Sequence, residues 1–303
     1  MTPPDFGLSI IASWIANKID KSLKKSDQEY VTVTQNTSPN INPPIVEIET
    51  ESMLLAQRFQ QIIILMNENR SEYNKFTIAN LSEILNLEKR SILDNIVTGR
   101  IEPTFDFIKQ FCHTFRINYH WLNEGKGHPF EVSYLYYSPM NYLNDIIKLN
   151  PERIYFIQNQ SDIAETFIML GFSDWYYMVC TKIWHISNHV GAGGRSQIYD
   201  LYRLVKELKS NMFYLKCYGL KLESKEFFAI FYGKKFPGSC LIGDMGVQGN
   251  HPWWDDFTDI YHTFPIADDY LRIHGKSFID AQEIIKQELN RKENSNLALH
   301  NKD

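Results

Sequence analysis

The chain has 303 residues, 44% hydrophobic and 14% aromatic, with a formal net charge of -5. This composition supplies buried cores for two modest domains and excludes an intrinsically disordered chain. Net acidity alone argues against a nucleic-acid reader, but phosphate attraction depends on where Lys and Arg cluster; the charge is -3 over residues 1–52, +1 over 53–130 and -3 over 131–303. The four cysteines, Cys112, Cys180, Cys217 and Cys240, are scattered with no CxxC pair, as expected of a protein of the reducing cytoplasm.

Residues 1–28 place Leu8, Ile11, Ile15 and Ile19 at helical spacing, with Lys18, Lys21, Lys24 and Lys25 gathered toward the end, where a helix dipole favours cations. An amphipathic helix is expected here. No basic residue precedes its apolar part and no small-residue cleavage site follows, so it does not read as a signal peptide, and it is too short to span a bilayer. Trp14 and the lysines would suit a membrane interface, but packing on protein is the commoner use of such a face, and membrane association is not expected. Residues 29–52, rich in Thr, Asn, Ser and Pro, read as a linker.

From Ser52 a helical period begins, with Leu55, Phe59, Ile62 or Ile63, and Met66 on one face. A second helix over "TIANLSEILNL" takes Thr77 as its N-cap and turns Leu81, Ile84 and Leu85 inward. The third, within "EKRSILDNIVTG", is expected to bury Ile92, Leu93, Ile96 and Val97 and to stop at Gly99. It shows Lys89, Arg90, Ser91, Asp94, Asn95 and Thr98 to solvent. A fourth, capped by Thr104, points Phe107, Ile108, Phe111 and Phe115 inward. The stretch "INYHWLNEGKGHPF" supplies a last short helix and its turn.

These residues resemble the lambda-repressor/Cro-like helix-turn-helix family of phage and bacterial regulators. The likeness rests on "TIANLSEILNL", "SILDNIVTGR", "IEPTFDFIKQF" and the closing Asn-x-x-Trp-Leu-x-x-Gly-x-Gly pattern of residues 118–127, and it covers only about residues 53–130. It implies an all-α, five-helix DNA-binding domain with a recognition helix at about 88–98 in the major groove of double-stranded DNA. Carried over, Lys89, Arg90, Ser91, Asp94 and Asn95 are the candidate base or phosphate contacts, while Thr77 and Arg100 hold phosphates. The alternative for each is an ordinary solvated face. Ile78 stands where many members carry a phosphate-touching Gln, so a homodimer reading two half-sites is the expected arrangement.

Residues 131–290 read as an α+β domain for oligomerisation or for sensing a small-molecule or protein signal, followed by a polar tail over 291–303. "PERIYFIQ" is expected as a strand, "SDIAETFIMLG" and "SQIYDLYRLVKELKS" as helices, "MFYLKCYGLKL" with "EFFAIFYGK" as a hairpin, and "SFIDAQEIIKQELNRK" as a helix capped by Ser277. The self-cleaving protease of many phage repressors is not expected, because "LIGDMGVQG" lacks a nucleophilic Ser. Three further constellations have the residue types of a reactive site, and for each a plain role is the stronger expectation. "VGAGGRS", with Arg195, reads as a flexible turn rather than a phosphate cradle. His185 and His189, four apart, lack a third ligand and read as structural. His251, Asp255, Asp256, Asp259 and His262 in "HPWWDDFTDIYH" read as solvated polar groups. No catalytic residue, metal or cofactor is assigned. The expected function is sequence-specific transcriptional regulation; the alternative is an effector or phage-defence component with an enzymatic C-terminal domain and a helix-turn-helix tether.

Overall fold

The computed structural model describes residues 50–135, 139–187, 191–211, 216–243, 246–247, 251–261 and 266–300. The amphipathic helix expected over 1–28 and most of the linker lie outside them. The described residues form one compact unit. The linker ends sooner than expected: the Thr50 side chain accepts from the Met53 amide and starts α1 (Glu51–Met66).

Helices come first. α1 buries Leu55, Phe59, Ile62 and Met66. After it come α2 (Ile78–Ile84), α3 (Arg90–Val97), α4 (Phe105–Phe115) and α5 (Tyr119–Glu124). Thr104 caps α4, and Gly99 and Gly125 adopt the left-handed φ that ends α3 and α5 without a Cβ penalty. Phe111 of α4 sits with its ring 4.8 Å from Phe59 and 4.9 Å from Phe115. The closing stretch is fixed three ways: Asn118 caps α5, its amide donates to the Pro129 carbonyl at 2.8 Å, and Arg58 donates to the Leu122 and Asn123 carbonyls. Leu122 is fully buried, and Trp121 is half-buried against the same core. Ile92 departs from expectation. It stands exposed, because the buried stripe of so short a helix has room only for Leu93 and Ile96.

A six-stranded mixed sheet follows, built from β1 (Val132–Ser133), β2 (Arg153–Asn159), β3 (Glu165–Gly171), β4 (Tyr177–Cys180), β5 (Trp184–His185) and β6 (Lys216–Leu222). Its order is β1-β4-β3-β2-β6, with β5 beside β3; β2 runs antiparallel to β3 and parallel to β6. Strand alternation sends Tyr155, Ile157, Phe167 and Met169 to one face, where they join α8 (Ser224–Phe231) and the helical bundle. Ile154, Phe156, Ile168 and Leu170 point the other way, into a core shared with α6 (Pro139–Leu149), α7 (Gly191–Asn211), α9 (Trp253–Asp256) and α11 (Lys276–His300). A two-stranded β7–β8 pair (Ile242–Gly243, Gly246–Val247) and α10 (Ile266–His274) complete the described elements.

Four local expectations are corrected. "AETFIMLG" is strand β3, not helix: it is covered on both faces, and a doubly buried strand loses the alternation that would reveal it. "EFFAIF" is helix α8, with Phe227, Ile230 and Phe231 buried at 3.6-residue spacing, so β6 has no hairpin partner there. The glycine run is not a turn; Gly191 opens α7. The polar tail is not separate, since α11 begins one residue before Ser277 and continues to His300.

Bundle and sheet meet in a packed seam at the boundary expected near residue 130. Phe130 is buried, its amide donates to the Gly233 carbonyl at 2.9 Å, and its ring lies 5.5 Å from Phe236. Asn69 donates to the Ser239 carbonyl, and Lys235 pairs with Glu68. No helix among the described residues is long and apolar enough to cross a membrane.

Candidate nucleic-acid interface

The pair α2–α3 is assembled by polar contacts at its ends and apolar contacts between. Thr77 and Asn80 form a reciprocal capping box: the Thr77 hydroxyl accepts from the Asn80 amide and donates to Asn80 Oδ1 at 2.7 Å. The Thr77 hydroxyl and the Asn80 amide are therefore both committed within the chain. The connection to α3 passes through Asn86 at φ 53°, a left-handed conformation that Asn tolerates. Two glutamines from other helices close the open carbonyl ends. Gln110 Nε2 donates to the Leu85 carbonyl at 2.9 Å, and Gln60 Nε2 to the Val97 carbonyl at 2.7 Å.

With Leu93 and Ile96 locked into the core, helical spacing turns residues 90, 91, 94 and 95 outward together. Lys89, Arg90 and Ser91 are exposed; Asp94 and Asn95 are half-buried. Lys89 occupies the N-cap position of α3 without a side-chain capping bond. Beyond the helix the chain folds back: the Arg100 amide donates to the Asn95 carbonyl at 2.8 Å, and its guanidinium Nη1 reaches Asn95 Oδ1 at 3.1 Å and Asp94 Oδ2 at 3.4 Å. The structure thus gathers Asp94, Asn95 and Arg100 into one small network and leaves Lys89, Arg90 and Ser91 clear of it. The carboxylate of Asp94 is partly neutralised by Arg100, which lessens its repulsion of a phosphate. Sequence reasoning missed the exposure of three apolar side chains of the bundle, Ile92, Ile101 and Phe105. The residues that bind bundle to sheet, Glu68, Asn69 and Phe130 among them, are not on α3.

The other constellations are accounted for differently. His185 lies in strand β5, so the helical spacing to His189 does not apply, and His189 is outside the described residues. Among the described residues no group of three or more His, Cys, Asp or Glu side chains is placed to hold a metal. Arg195, in the first turns of α7, donates to Gln287 Oε1 at 2.7 Å and lies 3.9 Å from Glu288. Asp255 pairs with Lys209, and His262 falls outside the described residues.

His251 and Asp256 do come together, through a residue that no local sequence pattern marks. His274 Nε2 lies 2.8 Å from Asp256 Oδ2 with its side chain fully buried, and its ring is 5.4 Å from that of His251. Burial first, then the neighbouring Lys221 and His274, push the His251 imidazole down to about 4. Burial also lowers His274 despite its hydrogen bond to Asp256. Because His251 is lowered in the folded chain, the unfolded chain binds more protons between its ordinary value near 6.5 and about 4. Stability is therefore full above that window and is lost as pH falls through it. A melting-temperature series from pH 7 to 4.5 is expected to slope downward. His251→Asn, which keeps an acceptor for the Trp253 amide, is expected to flatten it; an unchanged slope would assign the loss to other groups.

No protein-family model, no curated protein and no solved structure matches the chain.

Proposed function

We propose that this protein is a sequence-specific, DNA-binding transcriptional regulator of the phage-repressor kind. It acts in the cytoplasm as a homodimer, and its α+β part serves oligomerisation or signal sensing. The observation that carries the reading is the outward polar face of α3, Lys89 to Asn95, clear of the seam with the sheet, with Gln60 bonded to the carbonyl at the end of α3 and Gln110 to the carbonyl at the end of α2. A short helix so held suits the major groove, where Arg forks onto guanine and Asn onto adenine. Exposed Ile92, Ile101 and Phe105 suit thymine methyl groups or sugar edges.

The bundle's charge of only +1 predicts few phosphate contacts per subunit. Fluorescence polarisation of the full chain on DNA fragments flanking its own gene, at several salt concentrations, tests the reading. Saturable binding to one fragment, at least roughly a thousandfold tighter than to random duplex, is expected. Equal, salt-sensitive binding to every fragment, or none, would reject it.

A further inference from the structure

Three strands end together beside the bundle and leave an open cleft of about 700 Å³, a size that accepts a small organic ligand. Arg153 at the start of β2 is in register with Lys216 at the start of β6 and with Gly171 at the end of β3. The turn after β3 supplies Asp174 and Trp175, and Glu152 completes the charged wall. That turn is fixed from within: the Trp175 and Tyr176 amides both donate to Ser173 Oγ.

Two cations face this space in different states. Arg153 Nη1 donates to Asp174 Oδ1 at 3.0 Å, with Glu152 more distant at 3.8 Å, and the buried Nε of the same guanidinium has no hydrogen-bond partner. Lys216 is exposed and makes no ion pair among the described residues. Asp174 is itself two-thirds exposed, and an ion pair open to water contributes little, so an incoming anion displaces it at small cost. Half-buried Trp175 offers a flat apolar wall beside these charges.

Asp174 has a second bond, and it leads to the bundle. Its carbonyl accepts from Arg70 Nη2 at 3.1 Å. Arg70 in turn donates to the Met66 carbonyl at the end of α1 and to the Asn74 carbonyl, and its guanidinium lies 4.1 Å from the Phe76 ring, one residue before the cap of α2. One residue of the sheet turn therefore touches both the cation of the cleft and the brace that holds the approach to α2.

We propose that this cleft is an effector site for a small organic anion, a carboxylate or phosphate monoester with a flat apolar body. The acidic group takes Arg153 and Lys216 in place of Asp174, and the body lies on Trp175. Release of Asp174 shifts the turn, and through Arg70 it repositions α2 and α3. The binding site stands on the geometry of the cleft alone; the consequence for DNA rests on the function proposed above.

Calorimetric titration of the full chain without DNA tests the site, with phenyl phosphate and benzoate as probes and the cation benzamidine as control. Either anion is expected to bind. Lys216→Glu, a change at an exposed position, is expected to weaken binding by about tenfold or more because it removes a charge-assisted hydrogen bond, and Asp174→Asn to strengthen it by removing the competitor. Absence of anion binding at millimolar probe, binding unaffected by Lys216→Glu, or equal binding of benzamidine would overturn the site. The second arm repeats the DNA titration with the better probe present. A shift in DNA affinity that disappears in Arg70→Gln supports the coupling, and no shift in the wild-type chain overturns it. Should the chain bind no DNA, the DNA-free titration still decides the site.

Discussion

Gly233→Ala is expected to destabilise the bundle and the sheet together, by about 3 kcal/mol or more. Gly233 holds φ +70°, where a side chain is strained whatever the space around it, and here there is none: an added Cβ would sit 2.2 Å from the Phe130 carbonyl oxygen. The obstacle is backbone, which cannot rotate aside as a flexible side chain does. Nor can the two strands of chain separate cheaply, because the Gly233 carbonyl accepts the Phe130 amide and the Phe130 ring is packed on Phe236. Since one apolar cluster runs from Phe59 and Phe111 through Phe130 to Phe167 and Phe227, loosening this seam exposes core on both sides. Hydrogen exchange is the deciding measurement. Amides of α4 and of β2 are expected to lose protection by the same factor in Gly233→Ala. Loss confined to the sheet, with α4 unchanged, would show that the bundle is stable by itself and that the seam is only a contact.

That shared core also explains which parts of the fold were legible in the sequence. The bundle was, because its signals are local: Thr77 and Thr104 precede the apolar periods of α2 and α4, and Gly99 and Gly125 close α3 and α5. In the sheet the signals fail where burial is two-sided. "TFIML" in β3 and "EFFAIF" in α8 are similar runs of large apolar residues, and only the layers above and below decide that one extends and the other coils. The candidate interface divides the same way. Its outward residues follow from helical spacing, whereas the glutamines that fix it act from 25 and 37 residues away, and the Arg70 contact to Asp174 spans 104. Nothing in a local window marks a Gln as the cap of a helix elsewhere in the chain. His274 was missed for a related reason: its partner Asp256 is 18 residues distant and on another helix.

Replacing both Arg90 and Asn95 by Ala is expected to reduce affinity for the preferred DNA fragment by roughly 2 to 6 kcal/mol, while leaving binding to random duplex much less affected. Each residue carries a different part of the proposed readout. Arg90 is exposed at the first turn of α3 and has no hydrogen bond or ion pair among the described residues, so its fork is available to a base edge without breaking anything. Asn95 is one turn further along and is held by Arg100, which orients its amide and spares part of the entropy cost of fixing it on binding. Removing the Asn95 amide also leaves the Arg100 guanidinium with Asp94 as its remaining partner in this network, so the double substitution is not expected to equal the sum of the singles. Neither side chain contributes to the buried stripe of Leu93 and Ile96, and the melting temperature is expected to stay within a degree or two, since surface changes are usually worth less than about 0.5 kcal/mol. Binding measured across a salt series separates the two roles open to Arg90. If its guanidinium neutralises a phosphate, the substitution lowers the salt slope by about one and weakens all DNA alike; if it reads a base, specificity falls and the slope stays in place. Full retention of fragment preference in the double variant, with the fold intact, would remove α3 as the reading element and with it the assignment of this face to DNA.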